Sequence, residues 1–293
     1  MLRLDNDVRF ITPFDEEFPE KLKFIPSAPK GLYVKGKLPD ENAKSVAIIG
    51  SRDCSAYGAS MSRYFAEILS NAGVQIISGM ARGVDGIAQR AAMNNGHPTF
   101  GVLGGGIDVV YPKSNKDIFD GILKSGGLIS EFAPGTQPIA RQFPSRNRII
   151  AGLADIVLVI EAKIRSGTGI TVRRAIEQGR DVYAVPGRIT DPLSAGCNKL
   201  IEDGAGVALT PERILEILGI FEEKSENFHK ISAPRLAKRE KMVYSGLDLY
   251  PKSLEELTHI TGVGIPELLG VLLQLELKGL VAECGKNNYI RKT

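Results

Sequence analysis

The chain has 293 residues, 43% of them hydrophobic, with 32 glycines and no tryptophan; this suits one large and one small domain rather than an aromatic-rich binding module. Its 37 Lys and Arg against 34 Asp and Glu leave a net charge of +3, so no global field draws it onto polyanions, and any such binding must use a local patch; residues 44–210, with 18 basic and 14 acidic side chains, hold the excess. Cys54, Cys197, Cys284, His97, His229 and His259 show no metal-ligand spacing, and there is neither an apolar leader nor a run near ~18 apolar residues; no metal, cofactor or membrane span is expected, and a cytoplasmic location is the default.

In chain order, residues 1–43 read as a proline-punctuated leader packed on a sheet edge, with a helical turn within 18–25 and a strand at 32–34. From Ser45, short β-branched runs alternate with amphipathic segments. Strands are predicted at 46–49, 74–77, 99–103, 128–130, 156–160 and 182–185, and helices at 59–70, 84–94, 116–124, 145–153 and 169–178. That alternation predicts an α/β domain over 44–221 with a doubly wound, mostly parallel sheet. Residues 222–240, polar and holding Lys230, Arg235, Lys238 and Arg239, read as a linker. A helix at 253–260, a turn, a helix at 266–278 and strands at 280–283 and 288–291 predict a winged-helix module over 241–293.

Several strands run into Gly or Ser, and in such sheets ligands bind beyond the carboxyl ends of the strands. Gly50-Ser51-Arg52 has one glycine where a dinucleotide fingerprint needs three, which disfavours NAD and leaves an anion site capped by Arg52. The competing role for Arg52 is an ion pair with Asp85 or Glu131. Ser78-Gly79-Met-Ala-Arg82-Gly-Val-Asp85 repeats the design one strand later, with Asp85 as an N-cap candidate. Tyr111-Pro-Lys113 offers a ring and a point charge, and Lys163-Ile-Arg165-Ser166-Gly167-Thr168-Gly169 offers hydroxyls and amides to a phosphate. Most telling is Arg141-Gln-Phe143-Pro-Ser-Arg146-Asn147-Arg148, where Pro144 and Ser145 predict a helix start at 145. Guanidinium forks and a ring at a helix N-terminus suit single-stranded nucleic acid; the alternative is a solvated run with Phe143 plugged into the core.

The succession of these motifs, with Gly105-Gly-Ile-Asp-Val-Val-Tyr111-Pro, Ser130-Glu-Phe, Glu177-Gln-Gly-Arg and Val185-Pro-Gly through Asn198-Lys-Leu-Ile201, resembles the DprA (Smf) DNA-processing family across residues 45–210. The resemblance implies an extended Rossmann-like domain that binds and protects single-stranded DNA, forms a homodimer and loads the RecA recombinase in natural transformation. It assigns Gly50, Ser51 and Arg52 to a phosphate pocket extended by Arg82 and Lys113, with Phe143, Arg146 and Asn147 along the strand's path. Ser78, Gly79, Arg141, Arg148, Ser166, Gly167 and Thr168 complete the DNA-binding candidates, and Asn198, Leu200 and Ile201 are the dimer candidates. Where many members read Ser-Gly-Ser-Leu-Ile-Thr, this chain has Ser166-Gly-Thr-Gly-Ile-Thr171.

No motif assembles a nucleophile, base and orienter, so no catalytic residue is assigned. The enzymatic alternative, a phosphoribohydrolase of the lysine-decarboxylase-like type, starts its loop with Pro-Gly-Gly and needs a helix glutamate; this chain has Arg173 and Arg174 there. In the winged helix, Glu267 and Glu276 against Lys278 are the wrong charges for a major-groove reader, which predicts poor duplex binding and a packing or protein-contact role.

Overall fold

The computed structural model describes residues 2–4, 7–220, 236–248 and 251–291. The chain divides into two compact units, Met1–Phe221 and Glu222–Thr293. The first contains, in order, β1 (Leu2–Leu4), β2 (Val8–Ile11), α1 (Glu20–Lys23), β3 (Leu32–Gly36), β4 (Ser45–Ile49), α2 (Ala56–Asn71), β5 (Gln75–Ser78), α3 (Val84–Asn94), β6 (Thr99–Leu103), α4 (Lys116–Gly121), β7 (Gly127–Ser130), α5 (Gln142–Leu153), β8 (Ile156–Val159), α6 (Thr168–Glu177), β9 (Asp181–Ala184), α7 (Ala195–Glu202), β10 (Gly206–Val207) and α8 (Pro211–Ile217).

One ten-stranded sheet results, ordered β1-β2-β3-β7-β6-β5-β4-β8-β9-β10. From β7 to β10 every pairing is parallel. The central strands are buried on both faces, which is why they read as continuous apolar runs. Their alternation divides the core in two. Ala47, Ile49, Val157 and Val159 face Leu22 of α1, Ile150 of α5 and Val172 of α6. Val46, Ile48, Ile156 and Leu158 face Phe65 and Leu69 of α2, Ala88 of α3 and Ile214 of α8. Each fully buried Val, Leu, Ile or Phe among them contributes roughly 1.5–3 kcal/mol.

Residues 1–43 do more than pack on an edge. Strand β3 pairs antiparallel with β7, with Tyr33 opposite Ser130 and Val34 opposite Ile129, and β2 pairs with β3, so this segment continues the sheet. Lys21 of α1 donates to Asp155 at 2.6 Å, and Asp155 accepts the Ser45 amide at 2.9 Å, pinning α1 to the start of β4.

Helix α5 begins at Gln142, three residues before the expected start at 145. Pro144 lies in its first turn, where a backbone N–H has no intrahelical acceptor to lose. The Gln142 side chain instead accepts the Ile139 amide at 2.7 Å, and its own N–H donates to the Ile139 carbonyl.

The second unit contains α9 (Lys238–Gly246), β11 (Lys252–Ser253), α10 (Leu254–Thr261), α11 (Ile265–Leu277), β12 (Val281–Glu283) and β13 (Asn288–Arg291), with sheet order β11-β13-β12. This is a helix-turn-helix with a wing. Gly262, at φ 67°, adopts the left-handed conformation that ends α10, and a Ser253–Glu256 capping box begins it. Val243, Leu257, Leu268, Leu272, Leu275 and Val281 form its core. Helix α9 starts at Lys238, upstream of the boundary expected at 241. Its buried Glu240 accepts from Lys278 at 2.7 Å. The remaining linker expectation, 222–235, lies outside the described residues.

Candidate nucleic-acid interface

The strand order reverses at β4. From β4 the chain moves through β5 and β6 to one side, while β8 lies on the other. Loops leaving β4 and β8 therefore diverge and open a crevice at their carboxyl ends. A pocket of about 600 Å³ occupies it, walled by Gly50–Asp53 after β4, Lys163 and Ser166–Thr168 after β8, and Phe143, Arg146 and Asn147 of α5. A smaller cavity of about 140 Å³ adjoins it, and Arg52, Tyr111, Phe143 and Arg146 line both.

The loop after β4 is held from behind. Glu161, buried below β8, accepts the Ser55 amide at 2.8 Å and the Ser55 hydroxyl at 2.6 Å, while its carbonyl accepts the Ser51 amide at 2.7 Å. This clamp revises the roles of the Gly50–Arg52 turn. The Ser51 N–H is spent within the fold, and its hydroxyl accepts the Asp53 amide at 3.3 Å, leaving the hydroxyl proton as the donor. Gly50 is required for packing, since a Cβ there would stand 2.7 Å from Val84 and 2.9 Å from the Glu161 carbonyl. Arg52 alone projects outward. It pairs with neither Asp85 nor Glu131 but lies over the Phe143 ring, 5.3 Å from its centroid.

Phe143 is half-buried at the mouth, not plugged into the core. Its ring meets Tyr111 at 5.6 Å and 32°, and Gly104 lacks the Cβ that would stand 2.7 Å from it. Tyr111 is 48% exposed. Two rings and a guanidinium thus form a stacking ledge at the entrance.

Arg146 differs from Arg52. It is 4% exposed, and Nη1 donates to the Gly79 carbonyl at 2.8 Å and to the Val102 carbonyl, joining β5 to β6. Burial pushes its guanidinium down to about 10, against the opposing pull of Asp85 and with added repulsion from Arg52. Burial likewise raises the Asp85 carboxyl, against the Arg146 charge and its hydrogen bonds. Asp85 is not an N-cap: it lies inside the first turn of α3 and accepts the Gly79 amide at 3.1 Å. Arg146 is thus a brace forming the floor, with Asn147 beside it accepting from its Nε at 3.3 Å.

Arg148 turns away. It donates to the Ser27 carbonyl at 2.8 Å and to Glu131 at 2.6 Å, and lines neither cavity. Ser78 is also structural, fully buried and donating to the Ile48 carbonyl at 2.6 Å. Gly79 and Arg82 line the smaller cavity, where exposed Arg82 pairs with Asp53 at 3.2 Å. Such an exposed pair is weak enough for a phosphate to displace. Lys113 and Arg141 are exposed outside both cavities. Ser166, Gly167 and Thr168 lie at the N-terminus of α6 and line the large pocket. So does Lys163, which begins the same loop; the sequence pattern credits that loop's hydroxyls and amides with phosphate contact, and the structure adds the lysine's charge to the lining.

On α7, Asn198 is bidentate to Gly187, accepting its amide at 3.1 Å and donating to its carbonyl at 3.0 Å. Leu200 and Ile201 are half-buried against the first core. Among the described residues no three His, Cys, Asp or Glu side chains gather closely enough to hold a metal ion, and no single helix is long and apolar enough to cross a membrane.

Residues 9–219 match the family model of DNA recombination-mediator protein A, and residues 230–285 match that of the DprA winged helix domain. The chain is 46% identical over 201 residues to DNA processing protein DprA of Streptococcus pneumoniae, covering 69% of this chain and 71% of that protein. It is 38% identical over 297 residues to protein Smf of Escherichia coli, covering 98% and 79%. The X-ray structure of the pneumococcal protein superposes with a TM-score of 0.68 at 43% identity over 75% of this chain and 76% of that one. A Helicobacter pylori DNA processing protein A structure, described for its single-stranded DNA binding mode, gives 0.64 at 29% identity over 72% and 95%.

Proposed function

The chain belongs to the DprA (Smf) family of DNA recombination mediators, and from that premise we propose that it binds single-stranded DNA along the crevice at β4 and β8 and presents the strand to RecA. The observation that carries this reading is the ledge of Tyr111, Phe143 and Arg52 over a pocket edged by Lys163 and the α6 N-terminus. A base stacks on the Phe143 ring, which accepts any sequence because every base has a π-face. Phosphates meet Arg52, Lys163 and the Ser166–Thr168 turn, and Arg82 joins once its surface pair with Asp53 opens. Arg141 and Lys113 are placed to follow the strand beyond the pocket. The single-stranded DNA mode described for the Helicobacter pylori protein supports the same use of the shared fold.

The test is fluorescence anisotropy with labelled oligo-dT and with duplex across a salt series. Tight oligo-dT binding, weak duplex binding and a slope of about −0.7 per neutralised phosphate are expected. Arg52→Ala should weaken all single-stranded sequences alike, since phosphate contacts do not read bases. Unchanged oligo-dT affinity in that variant would place the strand elsewhere. The proposal extends to a homodimer through the exposed parts of Leu200 and Ile201, with Asn198 shaping the neighbouring turn; light scattering with and without oligo-dT measures it. Recombinase loading is read as an earlier onset of RecA ATP hydrolysis on protein-coated single strands.

A further inference from the structure

Helix α6 starts without the usual supports. Its N-cap is Gly167, which has no side chain to cap the first amides, and its first turn carries no acidic residue, so nothing local balances the positive end of the helix. The space around the cap is open, since a Cβ added at Gly167 would meet nothing within 4 Å. Three hydroxyls gather at this end, those of Ser166, Thr168 and Thr171, and all three residues line the large pocket. Thr168 is 8% exposed and Thr171 4%, yet among the described residues neither side chain, nor that of Ser166, has a hydrogen-bond partner. A helical threonine commonly returns its hydroxyl to the carbonyl four residues back, as Thr258 and Thr261 do at 2.8 and 2.6 Å; Thr171 does not. A hydroxyl so buried is costly to leave unmatched, and here it is kept on a pocket wall. Thr168 and Thr171 share one side of α6, the second about 4.5 Å further along the axis. The pocket therefore follows the helix inward for a turn, between α6 and the Asn147 and Ile150 side chains of α5, to buried Ile49, Asp85 and Arg146.

We propose, on the premise that the crevice is the single-strand site, that this recess takes a phosphomonoester, the terminal phosphate of a strand or that of a free nucleotide, in preference to an internal phosphodiester. Shape selects it first. A phosphodiester continues into chain on both sides and must double back to enter a recess with a buried floor, whereas a terminal phosphate enters end on. Oxygen count selects it next: the monoester presents three strong acceptor oxygens to the three hydroxyls, one more than a diester has to offer. Charge acts in the same direction. The monoester carries about −1.5 to −2 at pH 7, which the uncapped helix end and the Lys163 ammonium favour over the single charge of a diester. The two carboxylates of the lining already have cations: Asp85 faces the Arg146 charge, and Asp53 pairs with Arg82.

Fluorescence anisotropy of the full chain with short, internally labelled oligo-dT tests the preference, the strands bearing a 5′-phosphate, a 3′-phosphate or hydroxyls at both ends, with dTMP and thymidine as competitors. A phosphorylated strand should bind about tenfold more tightly than the hydroxyl strand, as charge-assisted hydrogen bonds to an added dianion require. An end preference assigns the recess to strand ends; dTMP competing where thymidine does not, without an end preference, assigns it to the free nucleotide. Thr171→Val should erase the difference and Thr171→Ser should retain it. Thr171→Val should also melt no lower than wild type, because the hydroxyl it removes has no partner to lose. Equal affinity for all three strands, with dTMP no better a competitor than thymidine, would overturn the proposal and leave the single-strand reading standing. So would a preference that survives in Thr171→Val. Failure of the single-strand reading itself would show differently, as Arg52→Ala binding every strand as well as wild type.

Discussion

Replacing Arg146 with Met separates a structural arginine from a ligand-binding one. Methionine approximates the length of the side chain but removes the donor shared by the Gly79 and Val102 carbonyls and the charge facing Asp85. Leaving the two buried carbonyls without their donor costs about 1–3 kcal/mol each. In a unit of 221 residues, each kcal/mol moves the melting temperature by roughly 2–4 °C, so a drop of about 10 °C is expected. The loss should also depend on pH. Without Arg146, the carboxyl of Asp85, already raised by burial, rises further; the native state then binds a proton that the unfolded chain releases near 3.8, and stability falls as pH rises through the folded value. Calorimetry across a pH series above 3.8 should therefore show a deficit that grows as pH rises. Arg52→Ala is the control, because an exposed side chain changes stability by only about 0.5 kcal/mol yet should lose oligo-dT affinity. If Arg146→Met melted within about 3 °C of wild type while losing DNA affinity, Arg146 would be a ligand contact and not a brace.

Phe143→Ala should cost about 1–3 kcal/mol of oligo-dT affinity if the half-exposed ring stacks on a base as proposed; lost thermal stability with intact affinity would return the ring to a packing role. Lys21→Met tests the tie between α1 and β4. Burial pushes Asp155 up, but the Lys21 ammonium and the Ser45 donors hold it below 3.8. With a depressed folded value, the pair stabilises above pH 3.8 and its contribution is lost as pH falls through the folded value. The variant should thus be less stable than wild type at pH 7 in chemical denaturation, with the gap closing below about pH 4; a gap independent of pH would show that packing of the lysine stem, not its charge, is what matters.

Strands such as β6 and helices such as α3 were legible because apolar runs and turn residues bound them locally: both begin and end where expected, at Thr99–Leu103 and Val84–Asn94. Pro144 misplaced the start of α5 because proline ends a helix in general but sits without cost in a first turn. Pairing of β3 with β7 joins residues about a hundred positions apart, and no local pattern encodes that choice. At the site, residue types were informative and their directions were not. Arg52, Arg146 and Arg148 are alike in sequence, yet one projects to solvent, one bridges two strands and one reaches Glu131. Nor does Ser51 reveal that Glu161, 110 positions on, has taken its amide.

The two buried arginines of α5 give the ledge a further property. Arg146 fastens the helix to β5 and β6 on one side, and Arg148 fastens it to the Ser27 carbonyl and Glu131 on the other, so the helix whose first turn carries Phe143 is anchored on two sides within the fold. A platform fixed in advance loses no rotamer freedom on binding, which would otherwise cost about 0.5–1.5 kcal/mol for each side chain brought to order. In the proposed binding mode, the arginines that anchor the helix would thereby add to the affinity for the strand by sparing the protein that entropy.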